Sequence, residues 1–194
     1  MTSPQKSRIQ QSTVLVLEDE EGLADLYTVW LSEEYSVRTA YTAAQAREQF
    51  DEAVDVALID RRLRDEKGDE FLSWVSQHHP ECCRAMVTAV NPDVDLIELP
   101  LDEYLVKPVD KDELLATVQR LEEQRNYEEE IRDLCALATK RAHLESALSK
   151  TERSDNEQFT RLESEISDRK QTLMEANEDF PEIVRHLEGN LNGD

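Results

Sequence analysis

Glycine is scarce in this 194-residue chain, at four residues, and neither glycine nor proline occurs between Val109 and Phe180. That long stretch therefore lacks the residues that most often break a helix. Cysteine is limited to Cys82, Cys83 and Cys135. An odd count with two adjacent members excludes a disulfide framework, and no Cys-x-x-Cys or Cys/His ligand spacing supports a structural zinc site. No apolar run is long enough to span a bilayer, and the polar start Met1–Ser12 has no signal-peptide core, so a cytoplasmic location and no membrane partner are expected. Basic residues are outnumbered, 22 against 44 acidic, for a formal net charge of −22. The deficit is spread along the chain, −13 over residues 1–120 and −9 over 121–194. Most of such a surface repels nucleic acid and anionic membrane. It suits either a cationic partner or adaptation to high salt, which screens self-repulsion. The salt reading is preferred, and the preference for Arg over Lys, 15 to 7, agrees with it.

What the first 120 residues do contain is a regular alternation. Short aliphatic runs at Thr13–Leu17, Tyr35–Thr39, Val54–Ile59, Arg84–Val87 and Glu103–Val106 predict strands. Amphipathic stretches between them, Glu21–Leu31, Ala43–Phe50, Gly68–Gln77 and a short one at Val94–Leu99, predict helices. A fifth opens at Asp110, where Glu113 three residues on resembles a capping box. This (βα)5 order implies an α/β fold, a doubly wound parallel sheet with helices on both faces. The near-continuous apolar runs Thr13–Leu17 and Val54–Ile59 are those of strands buried on both sides.

Ligands of open parallel sheets bind at the carboxyl ends of the strands. Those ends carry, in order, Glu18-Asp19, Asp60, Thr88 and Lys107-Pro108. Each alone has an ordinary explanation: a strand-end Asp is most often a turn former, Glu18-Asp19 or Thr88 a helix cap, and Lys107 a surface charge. Together they set three carboxylates, a hydroxyl and an ammonium on one rim. Three adjacent carboxylates repel one another, and a hard divalent cation such as Mg²⁺ relieves that. A carboxylate in such a site can attack a phosphoryl group, with Lys107 and Thr88 holding the phosphoryl oxygens.

The order Leu17-Glu18-Asp19-Glu20, Leu58-Ile59-Asp60, Gly68, Val87-Thr88-Ala89 and Lys107-Pro108 resembles the receiver domains of bacterial and archaeal two-component response regulators. The resemblance covers about residues 12–120. It implies a flavodoxin-like fold with strand order 2-1-3-4-5, a sensor histidine kinase as phosphodonor, and Mg²⁺ as cofactor. It also implies roles: Asp60 as phosphoacceptor; Glu18, Asp19, Asp60 and the Arg62 backbone carbonyl as metal ligands; Thr88 and Lys107 as phosphoryl contacts. Tyr104 matches the switch aromatic that turns inward when Thr88 moves. A proline common four residues after the phosphoacceptor is Arg64 here, so the loop Arg61–Lys67 is expected to be more mobile. Pro92 and Pro100 bracket the short fourth helix. The triple Arg61, Arg62, Arg64 is expected to neutralise nearby carboxylates.

The domain boundaries follow as 12–122 for the receiver and 123–190 for an all-α unit. The latter has two apolar ladders, Leu134, Leu137, Arg141, Leu144, Leu148 and Phe159, Leu162, Ile166, Arg169, Leu173, at the alternating three- and four-residue steps of packed helices. A capping-box signal at Ser154/Glu157 between them predicts an antiparallel hairpin, with Arg141 near Ile166 and Arg169 near Leu137; a parallel dimeric coiled coil is the alternative. The stretch Arg141–Glu188 resembles the HalX module of haloarchaeal regulators. A phosphorylation switch acting through protein contacts, including a homodimer through the tail, is the preferred function, and the chain is not expected to be an enzyme. A transcriptional regulator with a DNA-binding tail is the alternative. It is disfavoured by the negative tail and the lack of a helix-turn-helix or basic stripe. A vestigial receiver is disfavoured by the complete residue set. An Asp-nucleophile phosphatase is disfavoured by Arg62, where such enzymes carry a second Asp.

Overall fold

The computed structural model describes residues 11–125 and 129–176. The first ten residues of the polar start, and residues 126–128 and 177–190 of the predicted tail unit, lie outside the described residues. Five strands form one parallel sheet in the order β2-β1-β3-β4-β5: β1 Thr13–Leu17, β2 Ser36–Ala40, β3 Val54–Ile59, β4 Cys83–Thr88 and β5 Glu103–Val106. This is the flavodoxin-like topology expected. β1 sits between β2 and β3, and its Val14–Leu17 run is buried by the helices on the two faces, Leu15 and Leu17 on one and Val14 and Val16 on the other. Helices α1 (Glu21–Leu31) and α4 (Lys111–Arg125) cover one face through Tyr27, Leu31, Leu114, Val118 and Leu121. Helices α2 (Ala43–Gln49) and α3 (Gly68–His78) cover the other through Ala43, Ala46, Phe71, Leu72 and Val75. Each buried Leu, Val or Phe among these contributes roughly 1.5–3 kcal/mol of transfer free energy, and the alanines less.

Local chemistry accounts for the boundaries. Thr42 caps α2 by accepting the Gln45 N–H at 3.1 Å. Asp110 caps α4 by accepting the Glu113 N–H at 2.9 Å, where the sequence placed a cap. The fourth helical stretch is a 3₁₀ turn, Val94–Glu98, rather than an α-helix. Pro92 and Pro100 bracket it, and Asp93 caps the single tight turn by accepting the Asp95 N–H.

Beyond α4 come α5 (Glu129–Ala147), a short α6 (Lys150–Ser154) and α7 (Glu157–Ala176). α5 and α7 pack antiparallel, as the ladders predicted: Arg169 near the end of α7 pairs at 3.0 Å with Asp133, one turn from Leu137 at the start of α5. Arg141 pairs loosely with Glu145 on its own helix. The capping box differs from expectation. It is Ser149/Glu152, whose two reciprocal bonds open α6, while Ser154 ends that helix. α7 is capped instead by the Asn156 side chain, which accepts the Phe159 N–H at 2.9 Å. From this short extra helix Arg153 reaches back to Glu145.

The tail does not stand apart. α5 and α7 lie on the 3₁₀ turn, and α5 also lies against β5. Ile131, Leu134, Cys135, Leu144, Phe159, Leu162, Ile166 and Leu173 join Leu96, Leu101, Met86 and Tyr104 in a single apolar cluster.

Candidate functional site

The rim residues converge. Glu18 follows β1, and its backbone N–H bonds to Ala40 at the end of β2. Asp60 follows β3, and its N–H bonds to Leu17 at 2.9 Å, locking the two strand ends side by side. Carboxylate oxygens of Glu18, Asp19 and Asp60 lie within 4.8 Å of one another. Glu18 and Asp60 are buried, and Asp19 is half-buried. Lys107 closes the group: its Nζ donates to Glu18 Oε2 at 2.5 Å and to Asp60 Oδ2 at 2.7 Å. The other oxygen of Asp60, Oδ1, accepts the Arg62 backbone N–H at 3.1 Å. Lys107 is in turn fixed through its own N–H, which donates to the Thr88 carbonyl at 2.9 Å.

The electrostatics follow from burial. Desolvation pushes the Glu18 carboxyl above its ordinary 4.5, and the neighbouring Asp60 charge adds to the rise, against the opposing pull of Lys107. Burial alone would lower Lys107, but its two carboxylate partners outweigh that and hold it above its ordinary 10.5. One ammonium thus faces three carboxylates. Arg64, on the loop after β3, adds a second positive charge at 2.9 Å from Asp19, but its side chain is four-fifths exposed and well screened. The donor set is hard oxygen with excess negative charge, which fits a divalent cation of the Mg²⁺ kind.

The loop Arg61–Lys67, expected to be more mobile, is tied at several points. Arg62 and Lys67 bridge across it, Arg61 pairs with Asp69 at 3.0 Å, and Glu66 pairs with Arg47 at 2.5 Å. Gly68 closes it by donating its N–H to the Arg61 carbonyl. A Cβ at position 68 would come within 2.1 Å of the Asp60 carbonyl oxygen, so only glycine lets α3 start this near the Asp60 backbone. Arg61 and Arg64 do neutralise neighbouring acids, as the sequence suggested.

Thr88 is fully buried at the end of β4, and its hydroxyl accepts the Val90 N–H at 3.4 Å. Tyr104 is turned inward and buried, its hydroxyl donating to the Val90 carbonyl at 2.8 Å. Burial raises the Tyr104 phenol above its ordinary value, with the nearby Arg61 guanidinium pulling the other way. Sequence reasoning missed two residues beside it. Glu103 is a buried carboxylate, and His143 from α5 donates its Nε2–H to Oε1 at 2.8 Å. The hint was an acid placed inside an otherwise apolar strand. His143 itself gave no signal, because a polar residue on a charged helix is unremarkable until its docking is known.

The response regulator receiver domain family matches residues 14–119, and the HalX domain family matches residues 112–189. A Haloferax volcanii protein described as a candidate transcriptional regulator is 36% identical over 190 residues, covering 97% of this chain and 31% of its own length. The hydrogenase transcriptional regulatory protein HoxA of Cupriavidus necator is 34% identical over 116 residues, 57% of this chain and 24% of that protein. The chain therefore spans less than a third of these relatives. Among solved structures, a CheY-like receiver domain protein of Methanospirillum hungatei is 26% identical with a TM-score of 0.56, covering 59% of this chain and 96% of that one. The Thermotoga maritima response regulator TrrA, in complex with Mg²⁺ and a beryllium fluoride, is 26% identical with a TM-score of 0.52, covering 57% and 98%. Receiver domains are signalling modules rather than classical enzymes, are phosphorylated by sensor histidine kinases, and generally use Mg²⁺. Among the described residues no helix is long and apolar enough to cross a membrane. By fold, by rim and by these matches, the chain belongs to the response regulator receiver family and carries a HalX domain after its receiver.

Proposed function

We propose that the chain accepts a phosphoryl group on Asp60 from a sensor histidine kinase and passes the change to its helical tail through protein contacts. The observation that carries this reading is the meeting of Glu18, Asp19 and Asp60, with carboxylate oxygens within 4.8 Å of one another, at one sheet edge where Lys107 bonds to Glu18 and Asp60 and Thr88 ends the adjacent strand. Asp60 is the nucleophile: its carboxylate oxygen forms a P–O bond as the P–N bond to the kinase histidine breaks, giving an aspartyl phosphate. Glu18, Asp19, Asp60 and the Arg62 carbonyl would hold Mg²⁺. When bound, that ion neutralises the carboxylates and the phosphoryl oxygens. Lys107 stands 2.7 Å from the reacting carboxylate, ready to pair with the incoming phosphoryl oxygens. The Thr88 hydroxyl, which accepts a weak 3.4 Å bond from Val90, still has its own proton to donate to the same group. Tyr104 is the aromatic that answers Thr88.

The boundaries 12–122 and 123–190 go with this division of labour, the second part being the output unit, acting on a homodimer partner or another protein. A cytoplasmic setting suits the three free, buried thiols. The test is labelling by acetyl phosphate with Mg²⁺. Wild-type chain is expected to take up one acid-stable, base-labile phosphoryl group, and Asp60→Asn none. Undiminished labelling of that variant would remove the proposal.

A further inference from the structure

A continuous set of contacts runs from the rim to the tail. Thr88 Oγ1 accepts from the Val90 N–H, and the Val90 carbonyl accepts from the Tyr104 hydroxyl. The Tyr104 ring then meets the His143 ring of α5 edge-on, with centroids 5.8 Å apart. His143 is not free to turn away. Its Nε2 is held 2.8 Å from Glu103 Oε1, and the same carboxylate takes the Tyr104 N–H at 2.9 Å and Arg120 of α4 at 3.1 Å. On either side of His143, Lys140 reaches the Ile97 carbonyl of the 3₁₀ turn and Leu144 is fully buried. α5 therefore lies against β5 with His143 beside the Tyr104 ring.

We propose that docking of α5 holds Tyr104 inward through His143 and so favours phosphoryl occupancy at Asp60, the tail acting back on the receiver as well as receiving from it. The inference rests on the reading of Asp60 as phosphoacceptor. Its logic is reciprocity: if drawing in Thr88 favours inward Tyr104, and inward Tyr104 favours docked α5, then docked α5 must favour the phosphorylated site by the same factor. His143 is a positioning residue here, acting through Tyr104 and not on the phosphoryl group.

The experiment is a double-mutant cycle on the full chain, reading the apparent Kd for beryllofluoride with Mg²⁺ by titration calorimetry. Four proteins are compared: wild type, His143→Gln, Tyr104→Ala and the double variant. Gln keeps a hydrogen-bond donor for Glu103 and removes the ring, so the fold is preserved, and urea unfolding of each protein is followed in parallel. His143→Ala is run beside it. Both His143 variants are expected to weaken binding about five-fold, at the low end of common coupling factors. The His143→Gln effect is expected to fall within two-fold of nothing when Tyr104 is already Ala. Wild-type binding with no His143 effect would overturn this inference alone. An equal His143 effect in both Tyr104 backgrounds would overturn it too, since the coupling would bypass Tyr104. Absence of saturable binding by wild type would overturn the receiver reading and this inference with it.

Discussion

Replacing Lys107 by Met tests the electrostatics of the rim most directly. The lysine side chain is only 15% exposed and contacts two carboxylates that are themselves buried. Met keeps the apolar stem and removes the charge. Glu18, already raised by burial and by Asp60, then loses the interaction that opposes those effects most strongly. Left ionised, a buried carboxylate stripped of its partner costs about 3–5 kcal/mol. The protein can escape by protonating it, which costs about 1.4 kcal/mol for each pH unit above the ordinary value. With that value at 4.5 for Glu18, the escape costs about 3.4 kcal/mol at pH 7 and about 1.4 kcal/mol at pH 5.5. Lys107→Met should therefore lose about 3 kcal/mol at pH 7 without divalent cation and less than half of that at pH 5.5. The sign follows from linkage. A carboxyl raised in the folded state contributes stability below its unfolded value, and that contribution is lost as pH rises through the folded one. Mg²⁺ at pH 7 should narrow the gap, since it replaces the missing charge. Urea unfolding at both pH values, with and without Mg²⁺, reads all of this. A loss under about 0.5 kcal/mol at pH 7, the range of ordinary surface changes, would refute the reasoning. So would a loss that does not shrink on acidification.

Three further outcomes follow from other parts of the molecule. Gly68→Ala must push the Cβ off a backbone oxygen 2.1 Å away; a loss of about 1–3 kcal/mol in urea is expected, together with weaker beryllofluoride binding as the Asp60 backbone moves. Lys140→Met should leave stability unchanged or raise it by about 1 kcal/mol at pH 7, because this buried ammonium has a lowered pKa from desolvation and donates one 3.2 Å bond to Ile97. In wild type that lowered lysine makes stability rise as pH climbs toward 10.5, and urea midpoints of the Met variant should show a flatter rise there. Burial would raise Glu103, but His143, the Tyr104 N–H and Arg120 together hold it below its ordinary 4.5, so its contribution is present above that pH and lost as pH falls through the depressed value. Amide exchange in α5 should then accelerate below about pH 4.5 before the sheet opens; protection lost everywhere at once would count against it.

The receiver half was legible because its chemistry sits where the chain pattern puts it. Strand runs such as Val54–Ile59 end at their functional residue, and an acid or lysine at that point has only one rim to occupy. Asp110 was readable as a cap because a local hydrogen bond needs only local sequence. Ser149 and Ser154 show the limit of that approach. Both precede a Glu by three residues, and only the packing of α7 on α5 decides which one opens a helix. The 3₁₀ turn was visible as a short element between Pro92 and Pro100 but not in its type. The docking of α5 on β5 was not legible at all. Its seam uses Lys140, His143 and Thr139 beside Leu144, and polar residues in a tail of this charge read as solvent-facing. Tyr104 could be recognised by its place before Lys107, yet its inward position depends on that unseen contact.

The single apolar cluster joining Leu96, Leu101 and Tyr104 to Leu134, Leu144 and Ile166 has a consequence for how such a protein can be rearranged. A receiver that finishes its own core can be grafted upstream of many different outputs. This one borrows part of its interior from the helices that follow, where a longer fourth helix would otherwise have supplied it. Severed near residue 122, it would carry raw aliphatic surface at the 3₁₀ turn and should associate or precipitate. Exchange of modules here therefore requires exchange of the core itself.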